Sequence, residues 1–434
     1  MSIQKKFKKA LKCGTGKAYF MLLEHPEVNF SKSIKKSLLK RMCYDGQCEG
    51  HRGNYYYNLI QVSSQKEALI EFVLEELQKD QEDWYVLTQL YEVAALLATE
   101  EQNEVAKEGV RKRFKKELGE TEDWDGEDAL LRIDGVKALL GLAQLKGTIL
   151  KRNPDQTEYG GLIDAFDEMH PKSNGSKILR RASLQNASIK RYWETVQKNN
   201  RPRKKAKNPK KVKYTYKLIT KNIKKARFFW VSNWAKKLDQ ETAYALALDF
   251  KKETRTRRQE RYLKIFANYK FPLGTEILFD FIERKHNSAK SLVEFSVKAL
   301  ALFESEKIRS YALERLEKKK DILIYLPLLI HNYKAEDHLL LDEILQKNWN
   351  SEDIHDLNYH YRAIYTENSL KECMLPLKRM YDQLNCGICR EDILKIMSDN
   401  KVLTTGILQE MKFDSHKYVR KLYKKLKKSK KKTM

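Results

Sequence analysis

The stretch EKIRSYALERLEKKKDILIYLPLLIHNYKAEDHLLLDEIL, residues 306–345, decides the fold. Ile308, Ala312, Leu313 and Leu316 recur at three- and four-residue steps, so a first helix has one apolar face. Asp321 stands where it would cap a second helix, and Pro327 lies early in that helix, where its missing N–H does least harm. Neither helix can cover its own apolar face. A two-helix unit that depends on its neighbours for burial predicts stacked antiparallel helix pairs, a right-handed α-solenoid.

The same periodicity extends outward on both sides. Toward the C-terminus, helix starts are expected near residues 214, 240, 255, 274, 288, 306, 322, 336, 351, 370, 389, 401 and 415. Toward the N-terminus, Ala68, Phe72, Leu74 and Leu77 lead to Trp84, Leu87, Leu90, Tyr91, Ala94 and Leu97, then to Val105, Val110 and Phe114. Asp125 is placed to cap a further helix that carries Leu130, Leu131, Ile133, Val136, Leu139, Leu140 and Leu142. With only 8 prolines and 17 glycines in 434 residues, few breakers interrupt the helix formers, so the chain reads as all-α.

One segment breaks the pattern. NNRPRKKAKNPKKVK, residues 199–213, has two prolines and Val212 as its one aliphatic residue, too little apolar surface to offset chain entropy. The expected organisation is therefore an N-terminal helical region over 1–198, a basic linker or loop over 199–213, helical repeats over 214–421 and a polycationic tail over 422–434. The solenoid would thus come in two halves.

Over about residues 274–430 the chain resembles HEAT-like repeats. The residues that carry the resemblance are a basic residue after the first aliphatic position, Ile308-Arg309, and an aliphatic-rich second helix, Leu326-Pro327-Leu328-Leu329-Ile330. The resemblance implies a curved helical scaffold with an extended binding face and no particular chemistry.

Charge points to the partner. The net charge is +26, but residues 201–237 hold fifteen Lys/Arg and no carboxylate. Residues 412–434 hold eleven against Asp414 alone, and residues 1–41 hold eleven against Glu24 and Glu27. These segments carry +34 between them, which leaves the rest of the chain at −8. Residues 71–130 are themselves acidic, with eighteen carboxylates and seven basic residues. A one-sign run without compensating charge repels itself unless an anion is near.

The candidate polyanion-binding residues are Arg203, Lys204, Lys205, Lys210, Lys211 and Lys213 in the linker, with Lys207 beside them, then Lys217, Lys221, Lys224, Lys225 and Arg227 on the following helix. Arg255 and Arg258 extend the field into the next helices, together with Lys251, Lys252, Arg257 and Arg261. A single helix from Lys217 to Lys237 would place Ile219, Ile223, Ala226, Trp230 and Trp234 on its buried stripe. The leading expectation is a non-catalytic scaffold that binds nucleic acid, DNA or RNA without sequence specificity, or else an acidic protein. No small-molecule substrate is indicated.

Two other functional classes fit the same fold. The acidic region could dock a basic partner in a protein–protein assembly. Alternatively, HEAT-like alkylpurine DNA glycosylases hold damaged DNA on a helical-repeat face with aromatic and acidic residues near the lesion. In this chain Trp230, Trp234 and Asp249 would take those parts, although no motif ties the sequence to that chemistry.

The remaining motifs read as structure. Cys43, Cys48 and His51 offer three zinc-type ligands, and the second pair of a four-ligand site is missing unless Cys13 joins it. Cys386-Gly-Ile-Cys389 has redox spacing but follows a helix and reads as a helix-to-helix turn. Cys13-Gly-Thr-Gly-Lys17-Ala18 lacks the first glycine and the hydroxyl of a phosphate-binding loop. Asp123, Asp125, Glu127 and Asp128 match a calcium loop in composition only. No metal or cofactor is therefore expected. Residues 45–57, DGQCEGHRGNYYY, form the one N-terminal loop with the glycines and tyrosines of a binding loop or a helix connection. No apolar run suits a membrane span and the start lacks a signal-peptide core, so the expected compartment is cytosol, or nucleus where the cell has one.

Overall fold

Helix formers at three- and four-residue spacing build helices throughout the described residues. The computed structural model describes residues 2–120, 124–200, 214–225, 231–285, 289–347 and 349–432, and among them every regular element is helical. No helix among the described residues is long and apolar enough to cross a membrane. The chain divides into two units, one of Met1–Lys207, Asn385–Ile388 and Thr405–Met434, the other of Asn208–Leu384 and Cys389–Thr404.

In the first unit the order is α1 (Ile3–Cys13), α2 (Lys17–Glu24), α3 (Ser31–Leu38), α4 (Gly46–Glu49), α5 (Gly53–Gln61), α6 (Lys66–Gln78), α7 (Trp84–Glu100), α8 (Glu104–Glu120), α9 (Glu127–Asp134), α10 (Val136–Arg152), α11 (Gly161–Met169), α12 (Gly175–Ala182) and α13 (Ala187–Asn199). One apolar cluster joins Phe7, Leu59, Val73, Leu90, Leu97 and Val110, and a second joins Leu139, Leu142, Phe166, Leu179 and Tyr192. Along α6 the buried residues are Leu69, Ile70, Val73 and Leu77, whereas Ala68 is exposed. Because α6 packs on α3, α5, α7 and α8, its buried arc is set by four neighbours and is offset from the stripe expected of Ala68, Phe72 and Leu74. Asp125 does not cap α9: Gly126 holds that position, and the Asp125 N–H donates to Glu117 Oε2 at 3.1 Å.

The second unit runs from α14 (Tyr216–Lys225) through α15 (Val231–Ala235), α16 (Gln240–Lys252), α17 (Thr256–Phe266), α18 (Glu276–Lys285), α19 (Lys290–Leu300), α20 (Glu306–Glu317), α21 (Ile322–Tyr325), α22 (His338–Ile344), α23 (Ser351–Glu367) and α24 (Met374–Tyr381). The next helix, α25 (Gly387–Asp399), begins at the unit boundary; α26 (Thr405–Glu410) and α27 (Lys417–Lys432) belong to the first unit. Successive helices pack locally, α18 on α19, α19 on α21, α20 on α21 and α23 on α24.

The deciding stretch folds as a helix pair with one modification. α20 buries Ile308, Ala312 and Leu316, as its spacing requires. Its partner is short: α21 ends at Tyr325 and Leu326–Leu329 continue as a 3₁₀ turn, because Pro327 has no N–H for an α-helical bond. Asp321 precedes α21 at φ 51°, outside the extended conformation a side-chain cap requires, and its carboxylate accepts instead from Lys290 Nζ at 2.9 Å. The helix expected from Lys217 to Lys237 is described as α14 and α15; Ala226, Arg227 and Trp230 lie outside the described residues. Through Lys432, the polycationic tail is the continuation of α27.

Candidate functional site

The second unit places a set of cations on three touching helices, α14, α16 and α17. α14 buries Ile219 and Ile223 and packs on α16 and α17, which leaves Lys217, Lys221, Lys224 and Lys225 on its exposed side. α17 starts beside the end of α14, where the Arg261 guanidinium donates to the Ile223 carbonyl. Arg255 precedes α17, and it, Arg257, Lys251 and Lys252 are exposed. Among the described residues none of these eight exposed cations has a carboxylate partner. Arg258 differs, since it is half-buried and lies 3.6 Å from Glu253.

From α18 to α24 most of the described cations are matched. Lys307 pairs with Glu276, Arg315 with Glu283, Lys319 with Glu343, Arg362 with Asp392 and Arg379 with Asp342. Cations held by carboxylates have little left for an external anion, whereas the α14, α16 and α17 set keeps its full field.

The linker candidates Arg203, Lys204, Lys205, Lys210, Lys211 and Lys213 lie outside the described residues, as does Arg227. Of the glycosylase-type trio, Trp234 stacks on Tyr214 at 4.6 Å between ring centroids. Asp249 accepts from the Tyr216 hydroxyl at 2.7 Å and from Tyr262 at 3.4 Å.

In the first unit, His51, Glu92, Asp128 and Arg132 line a small cavity of about 60 Å³ with Thr88, Tyr91, Asp125 and Met169. His51 Nδ1 lies 2.9 Å from Glu92 Oε2, near enough for a charge pair but off the hydrogen-bond line. Burial pulls the His51 pKa down, yet the Glu92 carboxylate outweighs it and leaves the imidazole above its usual range. Burial raises Glu92 in turn, and His51 together with the Asn54 N–H, 2.8 Å from Oε2, brings it below the usual carboxylate range. This cluster draws on residues more than thirty-five positions apart in the chain, which helical periodicity does not reveal.

The loop 45–57 that supplies His51 is held by its own hydrogen bonds. Asp45 caps α4 through the N–H groups of Gln47 and Cys48. Glu49 accepts from the Tyr44 and Asp45 N–H groups at 2.9 Å and from Gly387 N at 2.5 Å. The buried Arg52 side chain donates to the carbonyls of Leu11, Lys12 and Asn385 at 3.0–3.1 Å. Tyr55 and Tyr56 donate to Thr15 O and Ser37 O. The loop is a fastening for α1 and α3, and His51 is the side chain it presents to the cavity.

The phosphate-loop lookalike is also a fastening. Gly14 ends α1 at φ 72°, and a Cβ there would stand 2.2 Å from Ser415 Oγ. None of the six cysteines is in a disulfide; Cys43 is buried and Cys48 is exposed. Cys389 Sγ lies 3.1 Å from His355 Nδ1 within the second unit. Compared with known proteins, the chain matches no family model, no curated protein and no solved structure.

Proposed function

We propose that this chain is a non-catalytic, HEAT-like helical-repeat scaffold that binds nucleic acid through clustered cations. The observation that carries the reading is the contrast within the second unit: Lys217, Lys221, Lys224, Lys225, Lys251, Lys252, Arg255 and Arg257 lack carboxylate partners among the described residues, while the cations of α18 to α24 are largely paired. Leaving so many like charges unmatched on touching helices costs self-repulsion, and a phosphate backbone removes that cost by counterion release. The local packing of successive helices supports the repeat scaffold.

Filter binding of the full chain to duplex DNA and to RNA over a salt series tests the reading. Binding should weaken steeply with salt and vary little with sequence. Replacing Lys221, Lys224 and Lys225 with Glu should lower affinity for every sequence alike. Undetectable binding to both polymers at low salt would overturn the proposal.

A further inference from the structure

α1 and α27 come from opposite ends of the chain and meet in the first unit. The Ser415 N–H donates to the Gly14 carbonyl at 2.8 Å, so the chain two residues before α27 lies against the end of α1. Both helix ends are held by arginine. Arg52 takes the Leu11 and Lys12 carbonyls at 3.0 Å, and Arg420 takes those of Asp414 and Ser415 at 2.7 and 2.8 Å. The end of α1 and the start of α27 are therefore held together, and each helix carries one of the two terminal charge clusters seen in the sequence.

Each helix turns a row of cations outward. On α1, Phe7, Ala10, Leu11 and Cys13 are buried, which leaves Lys5, Lys8, Lys9 and Lys12 as an exposed stripe. On α27, Val419 is buried and Leu422, Tyr423 and Leu426 are half-buried, so Lys417, Lys421, Lys424 and Lys428 line the outer side. Of these eight lysines only Lys421 has a carboxylate nearby, Glu168 at 3.8 Å, among the described residues. The apolar stripe of α27 is partly covered within its own unit, which reduces the surface an amphipathic helix would insert into lipid. What remains outward is charge and one ring. Tyr418 is 46 % exposed, with the ammonium groups of Lys417 and Lys421 at 5.5 and 5.3 Å from its centroid.

Lysines flanking an accessible aromatic ring suit a strand whose bases are free, because the cations take phosphates and the ring takes a base face. We propose that α1 and α27 form a second binding surface, for single-stranded nucleic acid, with Tyr418 as its stacking platform. The proposal rests on the polyanion reading above and adds to it a place and a polymer class. The α14, α16 and α17 cations belong to the other unit.

The test is fluorescence anisotropy of the full chain with labelled oligothymidylate and with a labelled duplex over a salt series. Three variants probe the surface: Lys8→Glu with Lys9→Glu, Lys424→Glu with Lys428→Glu, and Tyr418→Ala. A fourth, Lys221→Glu with Lys224→Glu and Lys225→Glu, probes the other unit. Each surface pair should weaken oligothymidylate binding and reduce the salt slope by about 0.7 for every phosphate it no longer neutralises. Tyr418→Ala should cost roughly fivefold or more on oligothymidylate and little on duplex, since only free bases stack. If the first three variants bind oligothymidylate as the parent does while the fourth loses affinity, the surface is refuted and the polyanion reading stands. Equal loss on both polymers from Tyr418→Ala, or binding to phosphatidylserine vesicles with none to oligothymidylate, refutes the proposal. No binding of the parent chain to oligothymidylate, duplex or RNA refutes both.

Discussion

His51 Nδ1 sits 2.9 Å from Glu92 Oε2, and each side chain keeps less than a quarter of its surface exposed. The imidazole is held above its ordinary 6.5 and the carboxyl below its ordinary 4.5. A raised histidine stabilises the fold while protonated, so its contribution is complete below pH 6.5 and is lost as pH rises through the folded value. A lowered carboxyl contributes above pH 4.5 and is lost as pH falls through its folded value. The pair should therefore support stability most fully between those two values. Thermal melts across pH should show a decline on the alkaline side that Glu92→Gln flattens, with the variant about 1–3 kcal/mol less stable within the window. An unchanged pH profile in the variant would remove the pair from the stability account.

Arg52 is the fastening of the N-terminal loop, 2 % exposed and donating to three backbone carbonyls. Removing it leaves a charged-group cavity and strands those acceptors without a donor. Arg52→Ala is expected to cost about 3 kcal/mol in urea unfolding. Arg52→Lys should recover only part, because an ammonium lacks the planar fork that reaches separate carbonyls. Full recovery by lysine would show that charge alone matters there.

Helix class was legible because three- and four-residue spacing survives even where the buried set shifts. The start of α20 coincides with its expected position, and α16, α21 and α23 begin at Gln240, Ile322 and Ser351, each where the pattern places a start. What periodicity missed was anything set by partners far along the chain. The apolar arc of α6 is fixed by α3, α5, α7 and α8, so Ala68 faces out where a two-dimensional helical stripe would bury it. Asp321 looked like a cap from residue type, yet a left-handed backbone and Lys290 decide its role. Of the charge pattern, the exposed lysines of α14 were readable as a run, but the absence of carboxylates beside them was not, since pairing in this unit joins helices about thirty residues apart. The meeting of α1 with α27 was likewise beyond reach, because nothing local to Gly14 announces Ser415.

Arg309 shows what a paired cation does in the same unit. Its guanidinium donates to both carboxylate oxygens of Asp337, at 2.6 and 3.3 Å, and to Glu336 at 2.9 Å. Asp337 also accepts from the Lys334 N–H at 2.8 Å and is nearly fully buried. Asp337→Ala leaves Arg309 facing a buried vacancy and is expected to cost about 3–5 kcal/mol. Arg309→Ala should be costly too, and a double-mutant cycle in urea should return a coupling of about 1–3 kcal/mol. Additive losses would mean that the two residues act independently.

Cys48 is exposed and the five other cysteines are buried, so native thiol chemistry should report on one site. Its reactivity is restrained, because a hydrogen bond to Asp45 and that residue's charge hold the thiol above its ordinary 9.0. Only the thiolate attacks, so labelling by an aromatic disulfide should quicken about tenfold per pH unit below the thiol pKa. Asp45→Asn keeps a side chain able to cap α4 but removes the charge, and should speed labelling at neutral pH. Cys48→Ser should abolish the fast phase and leave five thiols that react only as the protein unfolds. A fast phase that survives Cys48→Ser would mean that a cysteine buried here opens to solvent in the native state, with Cys43 and Cys389 the first to examine by mass spectrometry of the labelled peptides.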